Sequence, residues 1–196
     1  MTSMNFEDIR RDLEKHLSHG RYVHVLGVVS EAEKLAVKYG ADPSKARMAA
    51  LVHDSAKELP LEEMQKLVHS KGWYPDACVM ANGSLLHGPA GSALAAKKYG
   101  IQDPEILMAV YYHTTGRPGM ALLEKIIFLA DYIEPSRHFP GVDEIREAAY
   151  QDLDQGVLQG YISTMSHLLR QHQYIYEMTF QGYNDMILSA KQGKRA

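Results

Sequence analysis

Along nearly all of its 196 residues the chain repeats apolar residues every three or four positions, the period of a helix with one buried face. From Tyr22 they fall at Val25, Val28, Val29, Ala32, Leu35, Ala36 and Tyr39, and Gly40 supplies the stop. Asp42-Pro43 opens a second helix, predicted to run through Ala46, Ala49 and Ala50 to Ala56 and so to carry His53 and Asp54, with Lys57 just past its end. Shorter helices are predicted near 6–17 and 61–70, a longer one over 84–99, and one from Asp103-Pro104 to His113. The stretch from Thr114 to Gly119 reads as a loop. A helix over about 120–134 stops at Pro135, a loop holds Pro140-Gly141, and long helices follow at 143–171 and 178–191. Gly156 and Gly160 point to close helix packing. No strand pair, repeat, low-complexity tract or linker interrupts the pattern. The expected fold is all-α: one domain over 1–196, with the helices of about 143–191 completing a bundle.

Several function classes drop out on charge and residue usage. A net charge of −3 offers no basic field for a nucleic acid backbone. The single cysteine, Cys78, rules out a disulfide scaffold or a zinc ribbon and points to a reducing, cytoplasmic setting. No signal segment is expected at the start, and no apolar run reaches the ~18 residues of a membrane span. A homodimer is the assembly left open.

The chemistry lies in polar residues placed where the helical period calls for apolar ones. His24 is one turn before Val28. His53 continues the Ala46, Ala49, Ala50 stripe, His87 shares one with Ala90, Gly91 and Leu94, and His113 continues Ile106, Ala109 and Val110. Asp131 interrupts the apolar run from Ile126 to Ile133. Each would cost ~2–7 kcal/mol if buried without a partner, and together they would exceed a typical net stability of ~5–15 kcal/mol. They satisfy one another or share a cation. One stripe histidine alone is more often a hydrogen-bonded core residue, and Asp131 alone is as well explained by a Lys or Arg partner. The adjacent pair His53-Asp54 shifts the balance: its two side chains approach one ion from different directions, and Asp54 has a second oxygen for another. Lys57 is expected on the same face. His16, His19, His69, His138, His167 and His172 have no such placement, and most of them read as surface residues.

The order His24, His53-Asp54, His87, His113, Asp131 resembles the HD-domain superfamily of metal-dependent phosphohydrolases. The chain is more closely similar to its bacterial YqeK family, which cleaves diadenosine tetraphosphate symmetrically. The resemblance rests on Arg21-Tyr22-Val23-His24, on 50–57 around His53-Asp54, on Leu86-His87-Gly88-Pro89 and on His113-Thr114-Thr115-Gly116. Most specific are 125–137, ending in Glu134-Pro135-Ser136-Arg137, and Phe139-Pro140-Gly141-Val142. The match is strong over about 21–146, with the metal-binding core at about 21–137, and looser at Thr179 and Tyr183-Asn184.

Imidazole and carboxylate without thiolate suit Fe, Mn, Ni or Zn, and iron is what the resemblance implies. His24, His53, Asp54 and Asp131 are assigned to a first metal. His87 and His113 either hold a second metal through a bridging Asp54 or contact phosphate beside a single metal, with Thr114 adding a hydroxyl. Asp54, Lys57, His87 and His113 are the expected catalytic groups, a bound cation lowering the pKa of the attacking water. Lys57, Arg137 and Arg21 are the candidate polyphosphate contacts, each arginine being equally readable as half of a surface ion pair. Tyr174 or Tyr176 is a candidate adenine wall, against the commoner role of aromatic packing. The competing readings are a nucleotide phosphatase or guanosine tetraphosphate hydrolase using the same site, and a non-catalytic nucleotide sensor.

Overall fold

The computed structural model describes residues 4–193, which form eleven helices and no strand. Five of them position the chemistry: α2 (His19–Tyr39), α3 (Pro43–Val52), α6 (Gly83–Lys98), α7 (Pro104–Tyr112) and α8 (Leu122–Ile133). Their ends follow from local chemistry. Ser18 and Asp42 accept hydrogen bonds from the first free N–H groups of α2 and α3, and Gly40 closes α2 in the left-handed region at φ 74°. Helix α2 packs on α3 and α8, α3 on α7, and α7 on α6 and α8. Val25, Val28 and Leu35 of α2, Ala46, Ala49 and Ala50 of α3, and Ile126, Ile127 and Leu129 of α8 are fully buried. The alanines of α3 let backbones approach. Enlarging one would overpack this layer at a cost of about 1–3 kcal/mol.

Helix α6 comes closest to its neighbours at two glycines. A Cβ on Gly88 would lie 2.6 Å from the Tyr111 carbonyl oxygen, and one on Gly91 would lie 3.1 Å from that of His53. These small residues seat α6 against the ends of both α3 and α7. A second apolar cluster, Ala56, Met64, Val68, Val79, Leu86 and Ala90, joins α6 to α4 (Leu61–Ser70) and the short α5 (Ala77–Met80), and supports the segment after Asp54.

Two helices differ from their sequence patterns. The second ends at Val52, not Ala56: Ser55, Lys57 and Leu59 donate to carbonyls three residues back, so 53–58 is a run of tight turns. The expected helix over 143–171 is two, α9 (Val142–Gln151) and α10 (Leu153–Arg170). Asp152 between them is extended (φ −151°, ψ 119°) and its carboxylate caps α10. An N-cap Asp competes with continued helix, and Gly156 makes the corner feasible, since a Cβ there would lie 2.7 Å from Ala149 Cα. The close packing expected of the other glycine is also present: Gly160 faces Phe128 of α8. The chain ends in α11 (Glu177–Gly193), and α1 (Phe6–His16) packs on α2 and α3. No helix among the described residues is long and apolar enough to cross a membrane.

Candidate metal centre

His24 faces inward from the second turn of α2, Asp131 from the last turn of α8, and His53 and His113 from the caps of α3 and α7. His53 is 0% exposed, His87 1%, His113 2% and Asp54 2%. The Asp131 side chain is 20% exposed, so it is less interior than its stripe suggests and stands at the mouth of a cavity.

Asp54 is central. Its Oδ2 lies 3.7 Å from His24 Nε2 and 3.5 Å from His53 Nε2. Its Oδ1 lies 3.3 Å from His87 Nε2 and 3.6 Å from His113 Nε2. One carboxylate thus faces two imidazole pairs, an oxygen to each. Asp131 Oδ1 joins the first pair, 3.1 Å from His24 Nε2 and 4.0 Å from His53 Nε2.

The outer contacts fix which nitrogen faces in. His24 Nδ1 meets Glu134 Oε1 at 3.0 Å, and the Nδ1 atoms of His53 and His113 meet the Ala50 and Val110 carbonyls at 2.7 Å. Each Nδ1–H is thereby committed to an oxygen, which leaves an Nε2 lone pair aimed inward. His24 Nε2, His53 Nε2 and Asp54 Oδ1 are buried with no hydrogen-bond partner. His87 Nδ1 faces the Gly83 carbonyl at 3.3 Å, and its Nε2 is 3.0 Å from His113 Nε2. Two such lone pairs beside a carboxylate oxygen repel one another unless a proton or cation sits among them. Thr114 Oγ1, at 3.0 and 3.1 Å from these nitrogens, has one proton to give.

The donors fit a cation. Two ligand atoms each about 2.1 Å from one ion are about 3.0–3.4 Å apart at octahedral to tetrahedral angles, close to most separations here. His24, His53 and Asp131 form one group able to hold an ion, and His53, Asp54 and His113 a second. The expected first-metal set is therefore brought together, as is Asp54 between two sites, while His113 stands as close to His53 as to His87: ring centroids are 5.0 and 4.9 Å apart.

Charge around the cluster is tightly managed. Burial pushes the Asp54 carboxyl up, but His53, His113 and His87 outweigh it and hold its pKa well below the ordinary range. Burial likewise pushes the Asp131 carboxyl up, but His24, His53 and Arg137 outweigh it and hold its pKa well below the ordinary range. Burial, with His113 and Lys57 nearby, lowers His87 to about 4, so it is a neutral imidazole at pH 7. Lys57 Nζ is 3.3 Å from His87 Nε2, and burial lowers its pKa. It reaches His87 from the turn segment, not along a helical face. Arg21 donates to Asp54 Oδ2 at 2.7 Å, and Arg137 to Asp131 Oδ1 at 2.6 Å and to the Asp131 carbonyl at 2.9 Å. Neither is a surface ion pair: both neutralise carboxylates of the cluster.

Glu134 is a site residue that the stripe argument missed. It is 1% exposed, accepts from the Ser136 N–H at 2.7 Å and from its hydroxyl, and orients His24. Its signal was a carboxylate just before Pro135, outside the helical period. Tyr174 and Tyr176 are not brought to the cluster's cavity: Tyr174 is 55% exposed, and Tyr176 shares a separate 70 Å³ pocket with Tyr111, Tyr112 and Met178, well below the ~300 Å³ of small ligand sites. The remaining histidines, His16, His19, His69, His138, His167 and His172, are exposed.

The family model of the HD domain matches residues 21–136, a span that holds every histidine and aspartate of the cluster. The chain belongs to the HD-domain family. This HD domain is 44% identical over 184 residues to the symmetrical bis(5'-nucleosyl)-tetraphosphatase of Bacillus subtilis, covering 94% of this chain and 98% of that one. It is 44% identical to the protein of the same name from Halalkalibacterium halodurans, over 91% of this chain and 95% of that one. Its structure matches a crystal structure from Clostridium acetobutylicum, described as a predicted HD superfamily hydrolase involved in NAD metabolism. The TM-score is 0.93, the identity 41%, and the match covers 96% of this chain and 100% of that one. An HD domain implies a divalent metal, with which the His/Asp cluster is compatible.

Proposed function

We propose that this HD domain hydrolyses diadenosine tetraphosphate symmetrically to two ADP. The observation that carries the reading is Asp54 held between two imidazole pairs, in a chain of which 91–94% aligns with relatives named for that activity. We further propose that His24, His53, Asp54 and Asp131 hold one divalent cation, that His87, His113 and Asp54 hold a second or take phosphate, and that the metal is iron. Thiolate-free N and O donors suit iron as they do Mn, Ni or Zn, and the resemblance to the YqeK family is what selects iron among them. A divalent cation at this site supplies Lewis-acid activation of water and of phosphoryl oxygens.

The chain's own groups do the rest. His24 keeps its Nε2 inward because Glu134 takes its Nδ1–H. Lys57, beside His87, and Arg137, at the cavity mouth, face the charge that gathers on the transferring phosphoryl group. Arg21 is the third such cation, and Thr114 offers its hydroxyl to the same oxygens. In the reaction the oxygen of water bonds to one of the two central phosphorus atoms. The bond from that phosphorus to the central bridging oxygen breaks, the oxygen leaves with its electron pair on the other ADP, and the protons of water pass to solvent. A single domain over 1–196 and a cytoplasmic setting complete the reading.

The test is a substrate panel: diadenosine tetraphosphate, guanosine tetraphosphate and nucleoside monophosphates, with metal content measured on the same preparation. Rapid turnover of the dinucleotide to ADP alone is expected. Faster release of phosphate from a monophosphate, or of pyrophosphate from guanosine tetraphosphate, would overturn it.

A further inference from the structure

The start of α2 and the turn segment that carries Asp54 are tied together at two points. Near one end of the turns, Asp54 Oδ2 takes a hydrogen bond from Arg21 Nη1 at 2.7 Å. At the other end, the Glu58 carboxylate accepts from the Ser18 hydroxyl at 2.6 Å and from the Ser18 N–H at 2.7 Å. Ser18 is the N-cap of α2, and its Oγ in turn accepts from the Arg21 N–H at 3.4 Å. The two ties span 33 and 40 residues of sequence. They close a ring that runs from Asp54 along the turns to Glu58, across to Ser18, through the first turn of α2 to Arg21, and back.

We infer that Glu58 is a positioning residue for Arg21: through Ser18 it fixes the backbone from which the Arg21 side chain springs, so that the guanidinium rests on Asp54 and faces the substrate phosphates. The inference rests on the activity proposed above and on Arg21 as one of its phosphate-facing cations.

Three observations carry it. First, Arg21 is held at its tip by one bond. Its Nε is buried with no hydrogen-bond partner among the described residues, whereas Arg137 grips Asp131 with two nitrogens, one on the carbonyl and one on the carboxylate. A single bond sets a distance but leaves the plane of the guanidinium fork free to turn, so its orientation has to come from the backbone. Second, that backbone is weak on its own. Gly20 precedes Arg21 in the first turn of α2, glycine is a poor helix former, and a Cβ there would meet nothing within 4 Å, so packing does not call for it. Third, Ser18 and Glu58 are both exposed, where such contacts add little to stability, and what the latch supplies is geometry. The Ser18 hydroxyl and then its N–H hold the Glu58 carboxyl below its ordinary range, and the Arg21 charge adds to them. Glu58 is therefore ionised at pH 7, within the field of the group that it positions.

Glu58→Ala cuts the latch. Ser18→Asp cuts it differently, keeping a cap acceptor for α2 while setting a second carboxylate against Glu58. Arg21→Ala and the double variant Arg21→Ala/Glu58→Ala show whether the effect passes through Arg21, and Gly20→Ala added to Glu58→Ala stiffens the same turn. Steady-state kinetics with diadenosine tetraphosphate, metal content and thermal melts are measured for each. At unchanged metal content and with little change in Tm, Glu58→Ala and Ser18→Asp should each raise KM by about 5-fold or more and lower kcat less, somewhat under the value of a buried charge-assisted bond because the latch is exposed. In the Arg21→Ala background, Glu58→Ala should add less than about 2-fold, and Gly20→Ala should recover part of the loss caused by Glu58→Ala. Unmodified KM in both latch variants, or a Glu58→Ala effect as large without Arg21 as with it, would overturn the positioning role while leaving the activity standing. An unmodified protein that does not cleave the dinucleotide would instead overturn the activity, and the positioning role with it.

Discussion

Replacing Glu134 with Gln should weaken metal binding although Glu134 is not itself assigned as a ligand. Its Oε1 accepts the Nδ1–H of His24 at 3.0 Å, and the two side chains are 1% and 8% exposed. A hydrogen bond to a charged group is worth about 1.5–3 kcal/mol, or roughly 10- to 150-fold in affinity. Gln keeps an oxygen acceptor but loses the charge, so the lower part of that span applies, in line with the ~10- to 100-fold cost of losing an orienting partner. Gly27 gives an independent route to the same effect. A Cβ there would overlap Glu134 Oε2 and lie 3.2 Å from its Cδ, and the carboxylate, held by Ser136 and His24, has little room to yield. Gly27→Ala should therefore loosen metal in the same direction. The assay is calorimetric titration of chelator-stripped protein with Mn2+, beside melts of the metal-free form. If both variants bind within two-fold of the unmodified protein while His24→Ala does not, the orienting role is wrong.

Lys57→Ala and Arg137→Ala should each lower kcat/KM by about 10- to 150-fold, the value of one charge-assisted contact, and Lys57→Arg should not restore it; steady-state kinetics beside melts decides. Gly88→Ala forces α6 off the Tyr111 carbonyl, 2.6 Å from the new Cβ, and should cost about 1–3 kcal/mol and lower Tm by several degrees, read by calorimetry. Asp12 gives a pH signature far from the cluster. Burial raises its pKa, but hydrogen bonds from Lys98 and Tyr99 outweigh it and leave the folded value below the ordinary 3.8. Its contribution is therefore fully present above that value and lost as pH falls through the folded pKa. Asp12→Asn should cost about 1 kcal/mol at pH 7, and urea melts should show the difference shrinking toward pH 3.

Much of this was legible in the sequence because one signal, an imidazole or carboxylate on an apolar stripe, carries both fold and function. His24, His87 and His113 were located by helical period alone, and Gly40, Asp42-Pro43 and Pro135 marked helix ends by their own backbone chemistry. What escaped depends on non-periodic structure. The turns over 53–58 continue an apolar pattern without being helix, so Lys57 reaches His87 by another path. Asp152 breaks a helix through its cap, a choice that periodicity does not register. Glu134 lies past the end of a helix, where no stripe exists.

The central claim is that Asp54 organises a metal-dependent symmetrical hydrolase, and one measurement tests it most directly. Diadenosine tetraphosphate is incubated with metal-loaded protein, with the same protein after chelation and metal return, and with Asp54→Ala, and products are resolved by chromatography. The account predicts ADP alone from the first, loss and recovery of turnover in the second, and turnover lower by orders of magnitude with depleted metal in the third, the helical circular dichroism being kept. Full turnover by Asp54→Ala, or by chelated protein, would contradict it.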